Sequence, residues 1–338
     1  EEEEEEEELD EVSKLAKQLS QAREELATQR RKIRHVENAI VAEIIQASDV
    51  VCSTLGGCGS DAISRMRFDF VLIDEATQAT EPRTLIAINK LSQHGRLVLV
   101  GDQQQLPPVC VSQEAKTRGL GESLFERLIS KVMLKPAMLK VQFRMHPLIS
   151  HWPSQAFYGG QLIDGVSAEQ RLPMPGFPWP AAGGVAFIAG SSLESDTADG
   201  SSKVNSGECA LVRQVVDQLL EVQPAADLGV ISPYRGQVRL LKQTLRSDVE
   251  VRTIDGYQGR EKPIILISCV RSNARGNVGF LADYRRLNVA LTRAQRGLIV
   301  FGNPSTLRND PYWSSWLNFV DEQQLRIHID PVSIGGRK

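Results

Sequence analysis

Three observations predict an α/β fold built on parallel sheets covered by helices. First, short apolar runs end abruptly in polar residues: Phe68, Phe70, Val71, Leu72 and Ile73 lead into Asp74-Glu75, and Leu97 to Val100 lead into Gly101-Asp102. Near-continuous apolar strands of this kind belong to parallel sheets buried on both faces. Second, apolar runs at Val185 to Ile188, Leu228 to Ile231, Ile264 to Ser268 and Leu298 to Phe301 alternate with helical patterns near 207–222 and 234–246. That alternation is the signature of strands joined by covering helices. Third, one long helical pattern precedes all the strands.

Taken in order, residues 1–8 form an all-Glu, low-complexity segment, expected to be a solvated acidic tail or an extension of the next helix. In residues 9–47, Val12, Leu15, Leu19, Ala22, Leu26, Ile33, Val36 and Ile40 recur at three- and four-residue steps, broken only at Gln29. This spacing predicts an amphipathic helix with a coiled-coil-like seam. Its basic cluster, Arg30, Arg31, Lys32 and Arg34, reads as a solvated face. Residues 48–140 hold the first two strands and residues 141–338 the remainder. The Pro-rich LPMPGFPWP reads as an ordered connector, and the Ser-rich 191–202 segment as a surface loop.

A chain of 338 residues with 41% hydrophobic content can bury a substantial core. The net charge is −3, of which Glu1 to Glu8 supply −8, leaving +5 on the rest, a mildly basic balance that does not by itself point to nucleic acid. The five cysteines show no Cys-x-x-Cys pair or metal-ligand spacing, so reduced thiols are expected in place of zinc or disulfides. No signal peptide and no apolar stretch of about 18 residues is found, and a soluble protein without membrane partners is expected.

Ligands of open parallel sheets bind beyond the carboxyl ends of the strands. Adjacent carboxylates there can hold a metal and polarise a water, with Asp74 reaching Mg²⁺ and Glu75 orienting or deprotonating the attacking water. An isolated Asp-Glu after a strand is ordinarily a capped turn. The second strand end shifts the balance, because Gln105 there offers an amide able to sense a terminal phosphate, and the two together specify a phosphate-handling crevice.

These blocks resemble motifs two and three of the superfamily 1 helicases, the first in the form of a DEAT box. VQFRMHP at 141–147, ISPYRGQ at 231–237, VRTIDGYQGREK at 251–262 and LNVALTRAQRG at 287–297 resemble the later motifs, in family order. Within the superfamily, VCSTLGGCGS at 51–60 and the SCVRSN and VGFLADYRRLNVALTRA segments most resemble the Senataxin-like helicases, relatives of the nonsense-mediated-decay helicase.

The resemblance implies RecA-like domains: residues 9–47 as a returning stalk helix, 48–140 as the second half of a first RecA-like domain and 141–338 as a complete second one. It implies Mg·ATP as fuel, bound in a cleft between the domains, with Arg144 and Arg293 as fingers on the γ-phosphate. Arginine suits this role because its fixed charge and planar fork match a phosphoryl group, and such fingers supply ~10³-fold or more in rate. Gln105 would couple phosphate state to closure, Glu261 and Gln142 would meet the nucleotide, and Phe143 would stack on adenine where the family more often has Tyr. Gln258 and Gly259 would link this site to the nucleic-acid track.

For single-stranded RNA or DNA, or RNA:DNA hybrids, the resemblance implies contacts from Ser53, Thr54, Ser232, Pro233 and Thr253, although a Ser or Thr at a strand end is more often a cap or turn former. His146-Pro147 reads as a structural turn. The implied activity is a monomeric 5′-to-3′ translocase acting in RNA processing or transcription termination, in the nucleus and also the cytoplasm. Nowhere does the chain contain G-x-x-x-x-G-K-[ST]; Lys116-Thr117 is the nearest dipeptide and lacks the glycine lead-in. A C-terminal fragment of a longer helicase is expected, with a nucleic-acid-binding pseudoenzyme, or a subunit completing its site with another chain, as the alternatives.

Overall fold

The structure, a computed structural model, describes residues 2–329, with side chains described from residue 11 onward except Val12. The side chains of the acidic run, the place of Val12 in the seam and the last stretch of the second predicted domain, 330–338, lie outside the described residues.

The chain divides into two units. One runs up to Gly101 and includes Pro108–Leu128; the other comprises Asp102–Pro107 and the chain from Ile129 onward. In the first unit, a single helix extends over Glu2–Gln46, so the acidic run continues the helix. The predicted seam is exposed along its length, from Leu15 and Leu19 to Val36 and Ile40, and the helix touches the short turn Asp61–Ile63. The amphipathic pattern thus forms a helix without its apolar stripe being covered by any described residue.

Strand Phe68–Ile73 pairs in parallel with Leu91–Leu99, and helix Glu81–Ile88 connects them. The expectation that Phe68–Ile73 is buried on both faces needs correction. Ile73 is buried and Val71 packs toward the small core that includes Ala76, Ala87, Leu97 and Leu99, whereas Phe70 and Leu72 are each 55% exposed. Successive side chains of a strand point to opposite faces, and the described residues cover one face of this pair.

The second unit holds a six-stranded sheet in the order Arg326–Ile327, Val185–Ala189, Ala294–Gly302, Lys262–Ser268, Leu228–Ser232, Glu250–Thr253, every pair parallel. All four strands predicted here from apolar runs form. Their alternate residues feed two cores. Ile265 and Ile267 join Val300, Phe187 and the helices Pro147–Tyr158, Tyr284–Leu291 and Pro311–Glu322; Ile264 and Leu266 join Ile299, Phe301 and the helices Ser206–Leu220 and Arg235–Thr244. The expected Ser-rich surface loop folds back as an antiparallel pair, Ser195–Asp196 with Lys203–Val204. The Pro-rich connector is ordered by Trp179, whose Nε1 donates to Met174 O.

Two features under this sheet set up its loops. Gly229 sits where an added Cβ would lie 2.0 Å from Tyr257 Oη, a buried hydroxyl without a hydrogen-bond partner among the described residues. Glu208 is buried at the start of helix Ser206–Leu220, and its carboxylate accepts from Ser268 Oγ at 2.7 Å and from Val270 N at 3.0 and 3.1 Å. Val270 is held at φ +70°, a conformation that a β-branched residue rarely adopts. Burial raises the Glu208 carboxyl from 4.5 to about 7, against the opposing pull of the hydrogen bonds from Val270 and Ser268.

Gly229→Ala should destabilise by about 1–3 kcal/mol through overpacking, Tyr257→Phe alone should be nearly neutral, and the double variant should regain part of the loss. Urea titrations of the three variants check this. The Glu208 shift also carries a sign. The folded protein keeps a proton that the unfolded chain releases above 4.5, so this contribution is complete below that pH and disappears as pH rises to about 7. Relative to Glu208→Gln, wild type should lose on the order of 3 kcal/mol across that window, seen as a falling urea midpoint that the variant lacks.

Candidate functional site

Asp74 and Glu75 emerge from the carboxyl end of Phe68–Ile73 with both side chains exposed. Asp74 Oδ1 accepts from Glu75 N at 2.9 Å, and Oδ2 has no hydrogen bond among the described residues. Glu75 lies in the left-handed region at φ 52°, and its Oε2 accepts from Gln78 Nε2 at 2.7 Å. Behind them the two strand ends are drawn together: Ala76 N donates to Val100 O, and a Cβ on Gly101 would come within 3.0 Å of Thr77 Cγ2. The pair is therefore a strained, exposed strand end. An open carboxylate oxygen suits a divalent cation that completes its shell with water and phosphate, so Asp74 fits Mg²⁺.

Ser53 and Thr54 are also exposed in this unit. Thr54 Oγ1 accepts from Gly57 N at 3.0 Å, and Ser53 Oγ donates to Thr54 O at 3.1 Å. Both hydroxyls thus shape the turn over 53–58.

In the second unit, residues from four separate blocks converge at the amino ends of Lys262–Ser268 and Ala294–Gly302. Arg144 pairs through Nε with Glu261 Oε2, and its Nη1 donates to Thr292 O at 3.2 Å. Arg293, almost fully buried, donates through Nη2 to Thr292 Oγ1 at 3.0 Å and to Gln105 Oε1 at 3.4 Å. Two guanidinium groups are thereby fixed on one residue, Thr292. Burial works to raise the Glu261 carboxyl, but the hydrogen bonds from Arg144 and Gln295 outweigh it and hold it below the usual range, so Glu261 stays an anion against Arg144.

Gln105 belongs to a chain of polar contacts. Its Nε2 donates to Asp102 Oδ2 at 2.9 Å, Tyr158 Oη donates to the same oxygen at 2.6 Å, and Asn288 Nδ2 donates to Tyr158 Oη at 2.7 Å and to Gln104 O at 3.0 Å. Burial and the Asp102 charge push the Tyr158 hydroxyl well up, so it remains a donor. Asp102, Tyr158, Thr292 and Asn288 were not singled out from the sequence. Asp102, Thr292 and Asn288 sit inside blocks already marked, so proximity to Gln105 and Arg293 could have suggested them; Tyr158 lies on a helix remote in sequence and gave no signal.

The remaining candidates divide. Phe143 is 66% exposed, with Gly165 packed close against its ring, and Arg171 fixes its backbone by donating to Phe143 O and Arg144 O at 2.9 Å. The Gln142 amide is engaged on both sides: Oε1 accepts from Arg144 N and Met145 N, while Nε2 donates to Met145 O and Asp164 Oδ1. Its amide holds the turn that aims Arg144. His146 caps the next helix, with Nδ1 accepting from Leu148 N, and burial lowers its pKa. Gly259 takes φ +73°, in the left-handed region, in open space.

Ser232, Pro233 and Thr253 fall at the opposite, carboxyl ends of the strands. Ser232 is fully buried, with its Oγ accepting from Tyr234 N at 3.4 Å, so its side chain serves the turn and leaves Pro233 at the surface. Thr253 Oγ1 accepts from Gly256 N at 3.2 Å.

The shared position of Tyr158 yields a test. Tyr158→Phe and Asn288→Ala should each cost about 1–2 kcal/mol, and the double variant less than their sum, because both remove the same Oη contact. Additive losses in denaturant titrations would mean the two are not coupled.

A family model described as an AAA domain matches residues 120–305, and a second AAA-domain model matches residues 1–113. The regulator of nonsense transcripts 1 homolog of Neurospora crassa is 44% identical over 298 residues, covering 84% of this chain and 27% of that protein. Its Drosophila melanogaster counterpart is 38% identical over 330 residues, covering 94% and 28%. The ATP-dependent helicase NAM7 of Saccharomyces cerevisiae is 43% identical over 290 residues, covering 82% and 29%. The chain thus spans less than a third of the length of these relatives. Among solved structures, the PRRSV helicase overlaps 71% of this chain and 36% of its own at 16% identity and TM-score 0.39, too slight a likeness to add weight. The narrower expectation of closeness to Senataxin-like helicases gains no support from these relatives, whose names are those of nonsense-transcript regulators and an ATP-dependent helicase. On the family match and the order of its motifs, the chain belongs to the superfamily 1 helicases with AAA domains, and the relatives it resembles are Upf1-like.

Proposed function

We propose that this chain carries most of the motor of an ATP-dependent helicase that moves along single-stranded nucleic acid, RNA in the first place. The observation that carries the reading is the convergence of Arg144 and Arg293 on Thr292, with Gln105 hydrogen-bonded to Arg293. Two fixed cations beside an amide suit a terminal phosphate, because guanidinium groups held in place need no reorganisation as charge develops. Bound Mg·ATP supplies the phosphoryl group and charge neutralisation. Asp74 would hold the metal, Glu75 would orient the attacking water, Glu261 keeps Arg144 aimed, and Phe143 offers a face to the base.

RNA is favoured because relatives are named regulators of nonsense transcripts, and that name also favours cytoplasmic work over the nuclear site expected first. Movement 5′ to 3′, monomeric action, a place in transcription termination and activity on RNA:DNA hybrids remain parts of the proposal. The 338 residues contain no G-x-x-x-x-G-K-[ST] loop, which favours a second reading in which this stretch by itself binds nucleic acid without hydrolysing ATP.

The test measures RNA-stimulated Mg·ATP hydrolysis by the full-length protein alongside this chain alone. Hydrolysis by the full-length protein should fall at least ~10²-fold in Glu75→Gln and ~10³-fold in Arg293→Ala, with nucleotide binding retained. Undiminished hydrolysis in Glu75→Gln would remove its catalytic assignment, and a full-length protein that binds RNA without hydrolysing ATP would establish the second reading.

A further inference from the structure

Phe280 combines high exposure with an unusually well-fixed backbone. It is 62% exposed, in the turn Gly279–Ala282. Single exposed apolar residues are common and need no explanation, but this one is held on both sides. Phe280 N donates to Tyr234 Oη at 3.2 Å, and Arg271 Nη1 donates to the same oxygen at 3.2 Å. Arg271 is in turn locked by Glu194, Nε to Oε2 at 2.9 Å, in a pair that is itself buried. Glycine is required next door, since a Cβ on Gly279 would lie 1.9 Å from Arg271 Nη1. On the other side, Leu281 is buried and its carbonyl accepts from Trp313 Nε1 at 3.0 Å.

The ring, tilted against that of Tyr234 with centroids 5.5 Å apart, borders a pocket of about 650 Å³ lined among others by Pro233, Arg235, Arg239, Asp255 and Arg286. Arg235 is exposed and has no ion pair among the described residues. Arg239 forms a long, exposed ion pair with Asp199 at 3.9 Å, and Arg286 is paired with Asp255 and Asp283. An exposed aromatic ring beside one guanidinium without an ion pair, Arg235, and a second held only by a long exposed pair, Arg239, is equipment that single strands require: a platform for a base and cations for the flanking phosphates.

We propose that Phe280 is a stacking platform for one base of a single-stranded nucleic acid whose phosphates lie against Arg235 and Arg239. Tyr234, Arg271 and Glu194 are positioning residues: they fix the Phe280 backbone, and the Tyr234 ring supports one side of the Phe280 ring. The proposal rests on the reading of the chain as a nucleic-acid motor and adds to that reading a contact at the carboxyl ends of the strands, next to Pro233.

The experiment measures binding of dye-labelled oligouridine RNA, the matching DNA and an abasic strand by fluorescence anisotropy over a salt series, with thermal unfolding confirming that each variant is folded. Phe280→Ala should weaken binding to both base-bearing strands about tenfold without changing the salt slope, and should leave the abasic strand unaffected. Phe280→Trp should bind as wild type, and Phe280→Leu, which keeps apolar bulk without a ring, should resemble the Ala variant. Arg235→Ala should lower the salt slope by about one phosphate contact. If Phe280→Ala binds within twofold of wild type, or Leu restores binding as well as Trp, the platform is wrong while the nucleic-acid reading stands. Failure of wild type to bind any strand would overturn both.

Discussion

Burial of the parallel sheet on both faces is the constraint on which the second unit depends. Lys262–Ser268 contributes Ile264 and Leu266 to one core and Ile265 and Ile267 to the other, leaving no side for a polar residue along its centre. Polar function is therefore displaced to the strand ends. Because every strand runs in the same direction, the two ends are distinct edges. Glu261 and Arg293 gather at the amino edge; Pro233, Thr253 and the turn bearing Phe280 follow from the carboxyl edge. A parallel sheet can thus keep residues proposed for phosphate chemistry apart from those proposed to grip a polymer.

The same burial makes the connecting segments tight. Glu208 and Gln237 place polar groups under the sheet and hydrogen-bond Ser268, while Glu208 also accepts from the amide of Val270, so the chain leaves its central strand in a left-handed step. From that step follow Arg271, its buried pair with Glu194 and the hydrogen bonds that organise Tyr234 and Phe280. A backbone conformation costing on the order of 1–3 kcal/mol persists only where its surroundings over-determine it, as they do here.

The arginines illustrate a second consequence of packing. Neither Arg144 nor Arg293 is a loose surface cation: one is paired with Glu261, and the other is buried with its guanidinium aimed at Thr292 and Gln105. Their fixed positions depend on groups with no evident chemical role, including the Gln142 amide, the Thr292 carbonyl and the Tyr158 hydroxyl. Such supports have little signature in sequence because their partners are far away along the chain.

The strand runs from Val185 to Phe301, the long amino-terminal helix and the Asp74-Glu75 strand end were legible in the sequence, because apolar period and length depend on local order. The motifs that carry Arg144, Arg293 and Gln105 were legible too, because each is contiguous, while the roles of those residues belong to the proposal. Tertiary structure alone decided that Ser232 is buried and serves a turn, that Phe70 and Leu72 stand exposed, and that Asp102, Tyr158 and Asn288 join Gln105. The same holds for the fixed backbone and high exposure of Phe280. Which residues form a strand is written in neighbours along the chain, whereas which face is covered and which hydroxyl meets which carboxylate depends on segments that only folding brings together.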